Sequence, residues 1–256
     1  KPKILTCHTL YGVVNYHYIV GPRFYSFKNI LNRMDVLHVL SSNDIAILRK
    51  LGIRKNKIVL IPPGISVNDF YASVERQGDK ILFVGRISPE KDIETLLRAL
   101  SKLKFDFKLQ IIGPVQDRRY LSWLMVKFYE IFSSGKVEII GPLSRDKLIK
   151  YYAEADLFVL PSKMETFALV LLEAMASKLP VITTNVGVAN ELIKNWENGF
   201  VVPVGDYKLL SDRIGIILKD DKMRIEMGER NRELVEEKYD LDKNFGKILA
   251  LYHHLV

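Results

Sequence analysis

Residues 157–183 read LFVLPSKMETFALVLLEAMASKLPVIT and decide the fold class. The two ends of this stretch, Leu157–Leu160 and Val181–Thr183, are apolar without alternation, which is typical of strands that are buried on both faces. An apolar helical run lies between them. The stretch therefore predicts a strand, a helix and a second strand that runs parallel to the first.

The same alternation of short apolar runs and helical stretches recurs along the chain. It predicts a doubly wound parallel sheet of the α/β class, in which ligands bind at the carboxyl ends of the strands. Further strands are predicted at Ile4–Cys7, Val36–Leu40, Ile58–Ile61, Ile81–Val84, Leu109–Ile112 and Val137–Ile140. Apolar residues at helical spacing predict three C-terminal helices over 209–218, 222–237 and 242–255.

A polar segment over 66–80, which follows Pro62-Pro63-Gly64, has the composition of a linker. We place a domain boundary near Gln77, with a partial α/β domain over 1–76 and a complete Rossmann-like domain over 77–238. A helix over 239–256 follows, and its return to the N-terminal part is an open alternative. The chain begins on a strand without an initiator Met, which suggests a fragment or a processed product.

The composition restricts the class of protein. The chain has 256 residues, of which 48% are hydrophobic, and this predicts a soluble globular protein with one substantial core or two modest ones. No apolar run approaches the ~20 residues that span a bilayer. The single cysteine, Cys7, fits a reducing compartment, so we expect a cytoplasmic protein.

The net charge of +8 is concentrated in the first third of the chain. Residues 1–75 hold ten Lys/Arg against four Asp/Glu, a balance of +6. The basic and aromatic stretch 16–28 predicts either peripheral contact with an anionic surface on the inner face of the membrane or a solvated helix face. Nucleic acid is not an expected partner, because no dense Lys/Arg block and no known recognition module is present.

Glu173 is the unusual residue of the helical run 164–176, because apolar residues surround it on both sides. A buried carboxylate without partners costs several kcal/mol and would rather be protonated. We therefore expect Glu173 to hold a ligand. Glu165 stands just before the helix, whose first N–H groups, near Thr166–Leu169, lack intrahelical acceptors and suit a hydroxyl or an anion. Together these groups predict a polyhydroxylated, phosphorylated ligand.

A second candidate site follows the predicted strand Ile81–Val84. Gly85 permits close approach of the backbone, and Arg86 and Lys91 carry two positive charges at a strand-to-helix turn. These cations can neutralise a diphosphate, the arginine through its planar fork and the lysine as a point charge. The structural alternative, equally open from these residues alone, is a helix start with solvated cations.

Other motifs are absent or have structural explanations. The chain has neither Gly-x-Gly-x-x-Gly nor Gly-x-x-x-x-Gly-Lys-Ser/Thr, which argues against a dinucleotide fingerprint and a P-loop. Asp240-Leu241-Asp242 lies between two helices, where Asp is a routine cap, so no metal site is predicted. His8 lies just past the carboxyl end of the first predicted strand, where active-site groups gather, although a structural histidine is the default interpretation.

Five motifs, taken in order, resemble family 4 of the retaining glycosyltransferases with a GT-B fold. The resemblance is strong over residues 57–205 and weaker at both ends. The motifs are Pro62-Pro63-Gly64-Ile65; Val84-Gly85-Arg86 with Lys91; Pro161-Ser162 with Glu165 and Glu173; Gly187 with Glu191; and Asn198-Gly199-Phe200-Val201-Val202-Pro203. The resemblance implies an enzyme that transfers a sugar from a nucleotide-diphosphate sugar to a saccharide or lipid-linked acceptor, without inversion at the anomeric carbon.

The resemblance also implies roles for the candidate residues. Arg86 and Lys91 would bind the donor diphosphate, Glu173 the ribose hydroxyls, and Glu165 would face the transferred sugar. Leu143 and its loop would lie beside the base, and His8 would approach the donor sugar. The N–H groups of Thr166, Phe167 and Ala168 would meet the sugar or a phosphate. No cofactor or metal is expected, since positive groups already stand where the leaving group gains charge.

The chain departs from the family pattern in two ways. Thr166 and Ala168 stand where family members often have glycine, which leaves the donor sugar undetermined. Only the final portion of an N-terminal domain is present, so we expect nucleotide binding with poor transfer by this chain alone. A non-catalytic nucleotide-sugar-binding module or partner subunit therefore remains the alternative function. An epimerase and an NAD-linked oxidoreductase are less favoured.

Overall fold

The computed structural model describes residues 2–7, 22–73, 76 and 78–255. Packing divides the chain into two units, the first comprising Lys1–Ser66, Thr166–Ala168 and Lys238–Val256, and the second comprising Val67–Glu165 and Leu169–Glu237. Gln77, where we placed the domain boundary, lies outside the described residues. The domain ranges 1–76, 77–238 and 239–256 stay a prediction.

Strands and helices alternate through both units. The strands are β1 (Ile4–Cys7), β2 (Val36–Val39), β3 (Ile58–Leu60), β4 (Lys80–Val84), β5 (Lys108–Ile112), β6 (Val137–Gly141), β7 (Leu157–Leu160), β8 (Val181–Thr184) and β9 (Gly199–Val202). The helices are α1 (Pro22–Asn32), α2 (Ser42–Lys50), α3 (Ile93–Leu100), α4 (Arg118–Lys127), α5 (Tyr129–Ser133), α6 (Arg145–Glu154), α7 (Leu169–Ala176), α8 (Ala189–Leu192), α9 (Tyr207–Leu218), α10 (Asp221–Lys238) and α11 (Leu241–Leu255). Among the described residues, none of these helices is both long and apolar enough to cross a membrane.

The second unit is built on a parallel sheet with the strand order β6-β5-β4-β7-β8-β9. This confirms the predicted doubly wound α/β architecture. From β4 the chain runs outward to β6 and then returns to place β7 on the other side of β4. The order therefore reverses between β4 and β7, and ligands of such sheets bind at the carboxyl ends of the strands beside this reversal.

Continuous apolar runs explain the core of the second unit. All four residues of β7 are buried, as expected for a strand that is covered on both faces. Helix α3 buries Ile93, Leu96, Leu97 and Leu100, which share one helical face, and it packs on α9. Helices α6, α7 and α9 also pack on the sheet.

Strand β9 was not predicted, although its residues were quoted as part of a motif. It pairs with β8 in parallel, with Gly199 opposite Val181. A Cβ atom on Gly199 would lie 2.1 Å from the carbonyl oxygen of Val181, so the close pairing depends on the missing side chain. A four-residue run that begins with glycine carries little strand signal in the sequence alone.

The first unit contains a three-stranded parallel sheet, β1-β2-β3, with a core that includes Leu31, Leu37 and Leu48. Cys7 packs in this core, and its burial, reinforced by the charge of Asp44, raises the pKa of the thiol to about 11. The thiol therefore stays protonated near neutral pH. Residues 238–256 belong to this unit by packing, and a parallel bridge joins Ile65 to Asp240.

Candidate functional site

Lys91 and Glu165 meet at the point where the strand order reverses. Lys91 lies in the loop after β4, and Glu165 lies in the loop after β7. The Lys91 Nζ atom is 2.6 Å from the Glu165 Oε1 atom, and the two side chains are only 14% and 10% exposed. Ser162, which is buried, donates its hydroxyl to the same oxygen over 2.6 Å. Two predicted site residues, 74 positions apart, therefore form one preorganised ion pair.

The backbone beside this pair is tightly packed. A Cβ atom on Gly85 would lie 3.3 Å from the Phe83 ring and 3.9 Å from the Cδ atom of Lys91. Gly113, at φ +145°, ends the neighbouring strand, and a Cβ atom there would lie 2.1 Å from the carbonyl oxygen of Gly85. Glycine at these positions lets the ends of β4 and β5 approach closely.

Arg86 is the more exposed cation of the same loop. Its guanidinium lies 3.5 Å from the Glu90 carboxylate, and its side chain is half-exposed. An exposed ion pair at this distance contributes little to stability. The guanidinium can therefore exchange this contact for an anionic ligand at small cost.

Glu173 lies on α7 in a largely apolar setting, as the sequence predicted, but it has partners within the protein. The Tyr152 hydroxyl, on α6, donates a hydrogen bond of 2.9 Å to the Glu173 Oε2 atom. The Arg145 guanidinium lies 3.9 Å from the Oε1 atom. The premise that Glu173 has no partner within the protein was wrong, because Tyr152 satisfies one oxygen, and the binding of a ligand by Glu173 stays a prediction.

Burial nevertheless leaves the Glu173 carboxylate poorly solvated. Loss of water raises its pKa above the ordinary value of a glutamate, and the Tyr152 hydrogen bond and the Arg145 charge offset this only in part. Burial, together with the nearby Glu173 charge, also raises the pKa of Tyr152 well above its usual range, so the phenol remains a donor. Among the residues that the structure describes, the Oε1 atom has only the distant Arg145 contact, and it is the better placed oxygen for an additional donor.

Arg145 and Tyr152 were not among the residues predicted from the sequence. Arg145 begins α6, and it also lies 3.1 Å from Asp69 and over the Phe70 ring. The two missed residues stand seven positions apart on α6, so they share a helical face. That spacing was readable, but no local pattern showed that this face of α6 would meet Glu173.

Leu143 lies just after β6, two residues before Arg145. Gly141, the last residue of β6, has φ +83° and open space where a Cβ atom would stand. Arg145 therefore connects the end of the loop after β6 to Glu173. The loop after β6, Glu173 and the Lys91–Glu165 pair all belong to the second unit, at or near the carboxyl ends of its strands.

The predicted helix start near Thr166–Leu169 needs correction. Helix α7 begins at Leu169, so the N–H groups of Thr166, Phe167 and Ala168 precede the helix. Ala168 has φ +60°, a left-handed conformation that costs ~1 kcal/mol for a residue with a Cβ atom. The glycine that family members often have at this position would remove that strain.

His8 lies outside the described residues, and its role stays a prediction. Within residues 2–7, 22–73, 76 and 78–255, no group of three or more His, Cys, Asp or Glu side chains is arranged to hold a metal ion.

Glu173→Gln is expected to leave the melting temperature at pH 7 unchanged or raised. Because the folded-state pKa is raised, the folded chain binds this proton more tightly than the unfolded chain does, whose carboxyl has a pKa of ~4.3. The ionised Glu173 carboxylate therefore destabilises the folded state. This cost is absent at pH values below the unfolded-state pKa, and it grows as the pH rises to the folded-state pKa. Any increase in melting temperature caused by Glu173→Gln should disappear as the pH is lowered. Thermal denaturation over a range of pH values measures this.

The matched variant is Glu165→Gln, which removes a carboxylate that an ammonium holds at 2.6 Å. It is expected to lower the melting temperature at pH 7, since it leaves Lys91 partly buried and unpaired. A loss of several degrees at pH 7 for Glu173→Gln as well would contradict the analysis of Glu173.

Comparison with known proteins gives three relations. Residues 70–234, more than half of the chain, match the family Glycosyl transferases group 1. An uncharacterised glycosyltransferase of Methanocaldococcus jannaschii is 36% identical over 188 residues, which cover 72% of this chain and 47% of that protein. The capsular polysaccharide biosynthesis glycosyltransferase CapM of Staphylococcus aureus is 28% identical over 225 residues, covering 87% of this chain and 56% of that protein.

A solved structure shows the same fold. HepE of Anabaena in complex with UDP superposes with a TM-score of 0.90 at 20% identity, covering all of this chain and 73% of that one. The chain thus spans about half the length of the two curated relatives named above.

Proposed function

The chain belongs to the Glycosyl transferases group 1 family, and on that basis we propose that it carries the donor-binding part of a retaining glycosyltransferase. The donor is a nucleotide-diphosphate sugar, and the acceptor is a saccharide or a lipid-linked saccharide. The observation that carries the proposal is the Lys91–Glu165 pair at the reversal of strand order, with Arg86 in the same loop. Cations at this location suit the diphosphate of such a donor.

The separation between the two end groups of the site supports this assignment. The loop after β6 lies three strand spacings from β7, about 14 Å, since neighbouring strands stand ~4.8 Å apart. We assign the base to the loop at Leu143, the ribose to Glu173 beside Arg145, the diphosphate to Arg86 and Lys91, and the sugar to Glu165. An extended nucleotide-sugar would then cross the strand ends from one side of the reversal to the other.

The proposed chemistry needs no metal ion. The bond between the anomeric carbon and the diphosphate oxygen breaks, and the oxygen keeps the electron pair. The oxygen of the acceptor hydroxyl bonds to the same face of the sugar, and its proton passes to the leaving diphosphate. Arg86 and Lys91 stabilise the leaving diphosphate as it gains charge. An ammonium has three N–H donors, so Lys91 can keep Glu165 and still donate to a phosphate oxygen. Glu165 in turn holds Lys91 in place for that contact.

Titration calorimetry with UDP, GDP and ADP tests the donor class. We expect at least one nucleoside diphosphate to bind with a dissociation constant in the micromolar to millimolar range, and to bind equally well with Mg²⁺ and with EDTA. The liganded chain should also melt at a higher temperature, since the ligand binds the native state.

Absence of binding by all three nucleotides would defeat the assignment, and binding that EDTA abolishes would defeat its metal-independent part. Donor binding without any sugar transfer, in a protein that includes the whole N-terminal domain, would favour the alternative of a non-catalytic module.

A further inference from the structure

Helix α4 buries very little of itself. Of its ten residues, Leu124 alone is buried. Helix α3, on the same unit, buries six of its eight residues. A helix that follows a core strand would ordinarily cover the sheet with a continuous apolar face, so most of the α4 surface is left for another contact.

Three exposed residues of α4 and the first residue of α5 are large and apolar. Val126 is 79% exposed and Tyr129 is 70% exposed, and Trp123 and Met125 are each nearly half-exposed. Single exposed apolar residues are common on soluble proteins, but a contiguous group marks an interaction site. We call this group, with Arg118 and Arg119, the α4 patch.

The charge of the α4 patch is positive. Neither Arg118 nor Arg119 has a carboxylate oxygen within 4.0 Å of its guanidinium in the part of the chain that the structure describes. The nearest acid in sequence, Asp117, caps the helix by accepting from the N–H groups of Arg119 and Tyr120 at 2.9 and 3.0 Å. Both arginines are exposed and can pair with an external anion.

We propose that the α4 patch docks on a bilayer that contains anionic phospholipids. Trp and Tyr are the side chains that favour the interface between lipid and water, and arginines beside them attract phosphate head groups. Protein interfaces are also enriched in Trp, Tyr, Met and Arg, so a second copy of the chain is the competing occupant that the tests below separate from lipid. In the α4 patch, Arg119, Val126 and Trp123 lie within one face of the helix at 100° per residue, so cation and apolar groups are interleaved.

The α4 patch also lies near the candidate site. A cavity of about 510 Å³ at the start of α4 is lined by Arg118, Arg119 and Ser88, among others. Ser88 belongs to the loop after β4 that carries Arg86 and Lys91. Docking would therefore hold the carboxyl ends of the strands beside the bilayer. The proposal does not depend on sugar transfer, since vesicle binding and nucleotide binding are measured separately.

Sedimentation with vesicles tests the contribution of charge. We expect the chain to sediment with vesicles of 70% phosphatidylcholine and 30% phosphatidylglycerol, and to stay in solution with phosphatidylcholine alone. Arg118→Gln with Arg119→Gln should weaken the partition by ~25-fold, at about fivefold for each cation removed from an anionic surface. The control, Lys102→Gln with Lys104→Gln, removes the same charge from a different exposed surface and should have little effect.

A second pair of variants tests the apolar contribution. Trp123→Ser with Val126→Ser should reduce the partition by about tenfold or more, because these side chains no longer enter the interface. The control, Trp196→Ser with Ile225→Ser, removes a tryptophan and a β-branched aliphatic residue from exposed positions elsewhere and should leave the partition within about twofold. In a Trp196→Phe background, the fluorescence of Trp123 should shift to shorter wavelength on mixing with the anionic vesicles.

Three outcomes would overturn the proposal. In the first, the chain fails to sediment with anionic vesicles. In the second, it sediments, but the variants of the α4 patch partition like their controls, which would assign the contact to another surface. In the third, analytical ultracentrifugation shows a dimer that Trp123→Ser with Val126→Ser dissociates while vesicles fail to bind, which would make the α4 patch a contact between two copies of the chain.

Discussion

Lys91→Ala is expected to raise the dissociation constant of a nucleoside diphosphate by about 100-fold. The lysine is only 14% exposed and is held at 2.6 Å by Glu165, so it reaches a phosphate without first losing rotamer freedom. A hydrogen bond to a charged group contributes ~1.5–3 kcal/mol, which corresponds to a factor of about 10 to 150. The variant also leaves the Glu165 carboxylate facing the diphosphate without its cation, and the two negative charges repel each other.

The comparison variant for Lys91→Ala is Lys136→Ala. Lys136 forms an equally direct ion pair, 2.8 Å from Asp106, but it precedes β6 and so lies at the amino ends of the strands. The Lys136→Ala variant should bind a nucleoside diphosphate with the same dissociation constant as the unaltered chain. Arg86→Ala should fall between the two, since its half-exposed guanidinium is less well positioned. Calorimetry with one nucleoside diphosphate measures all three, and equal affinity for Lys91→Ala and Lys136→Ala would remove Lys91 from the site.

Much of this site was predictable because its parts follow strands. Gly85, Arg86 and Lys91 were recognised from a strand-to-helix turn, and Glu165 and Glu173 from their positions around an apolar helical run. The topology of a parallel sheet then brings the ends of β4 and β7 together. The residue types and their elements were readable, because periodicity and burial are local properties of the sequence.

The pairings within the site were not predictable in the same way. Tyr152 and Glu173 are 21 residues apart on different helices, and no local pattern indicates that a phenol donates to that carboxylate. The predicted start of α7 was wrong because Ala168 adopts a left-handed conformation, which is not expected for an alanine. The exposure of α4 was equally hidden, since Trp123 and Val126 are residue types that a sequence would assign to a core.

Glu173→Ala is expected to weaken nucleoside diphosphates about 30-fold while changing the affinity for free pyrophosphate by less than twofold. The carboxylate accepts one hydrogen bond from Tyr152, and its Oε1 atom remains for a ribose hydroxyl. Its raised pKa reflects poor solvation, and a hydroxyl donor from a ligand would offset that loss of water. Pyrophosphate has no ribose, so it should not respond to the loss of Glu173.

Tyr152→Phe separates this effect from simple damage to the fold. It removes the same internal hydrogen bond but keeps the carboxylate, so it should lower stability by ~1 kcal/mol and retain most of the nucleotide affinity. A 2′,3′-dideoxynucleoside diphosphate completes the test, because the unaltered chain and Glu173→Ala should bind it equally. If Glu173→Ala weakens the dideoxy nucleotide, or pyrophosphate, as much as the ribonucleotide, then Glu173 supports the fold of the site and does not contact the ribose.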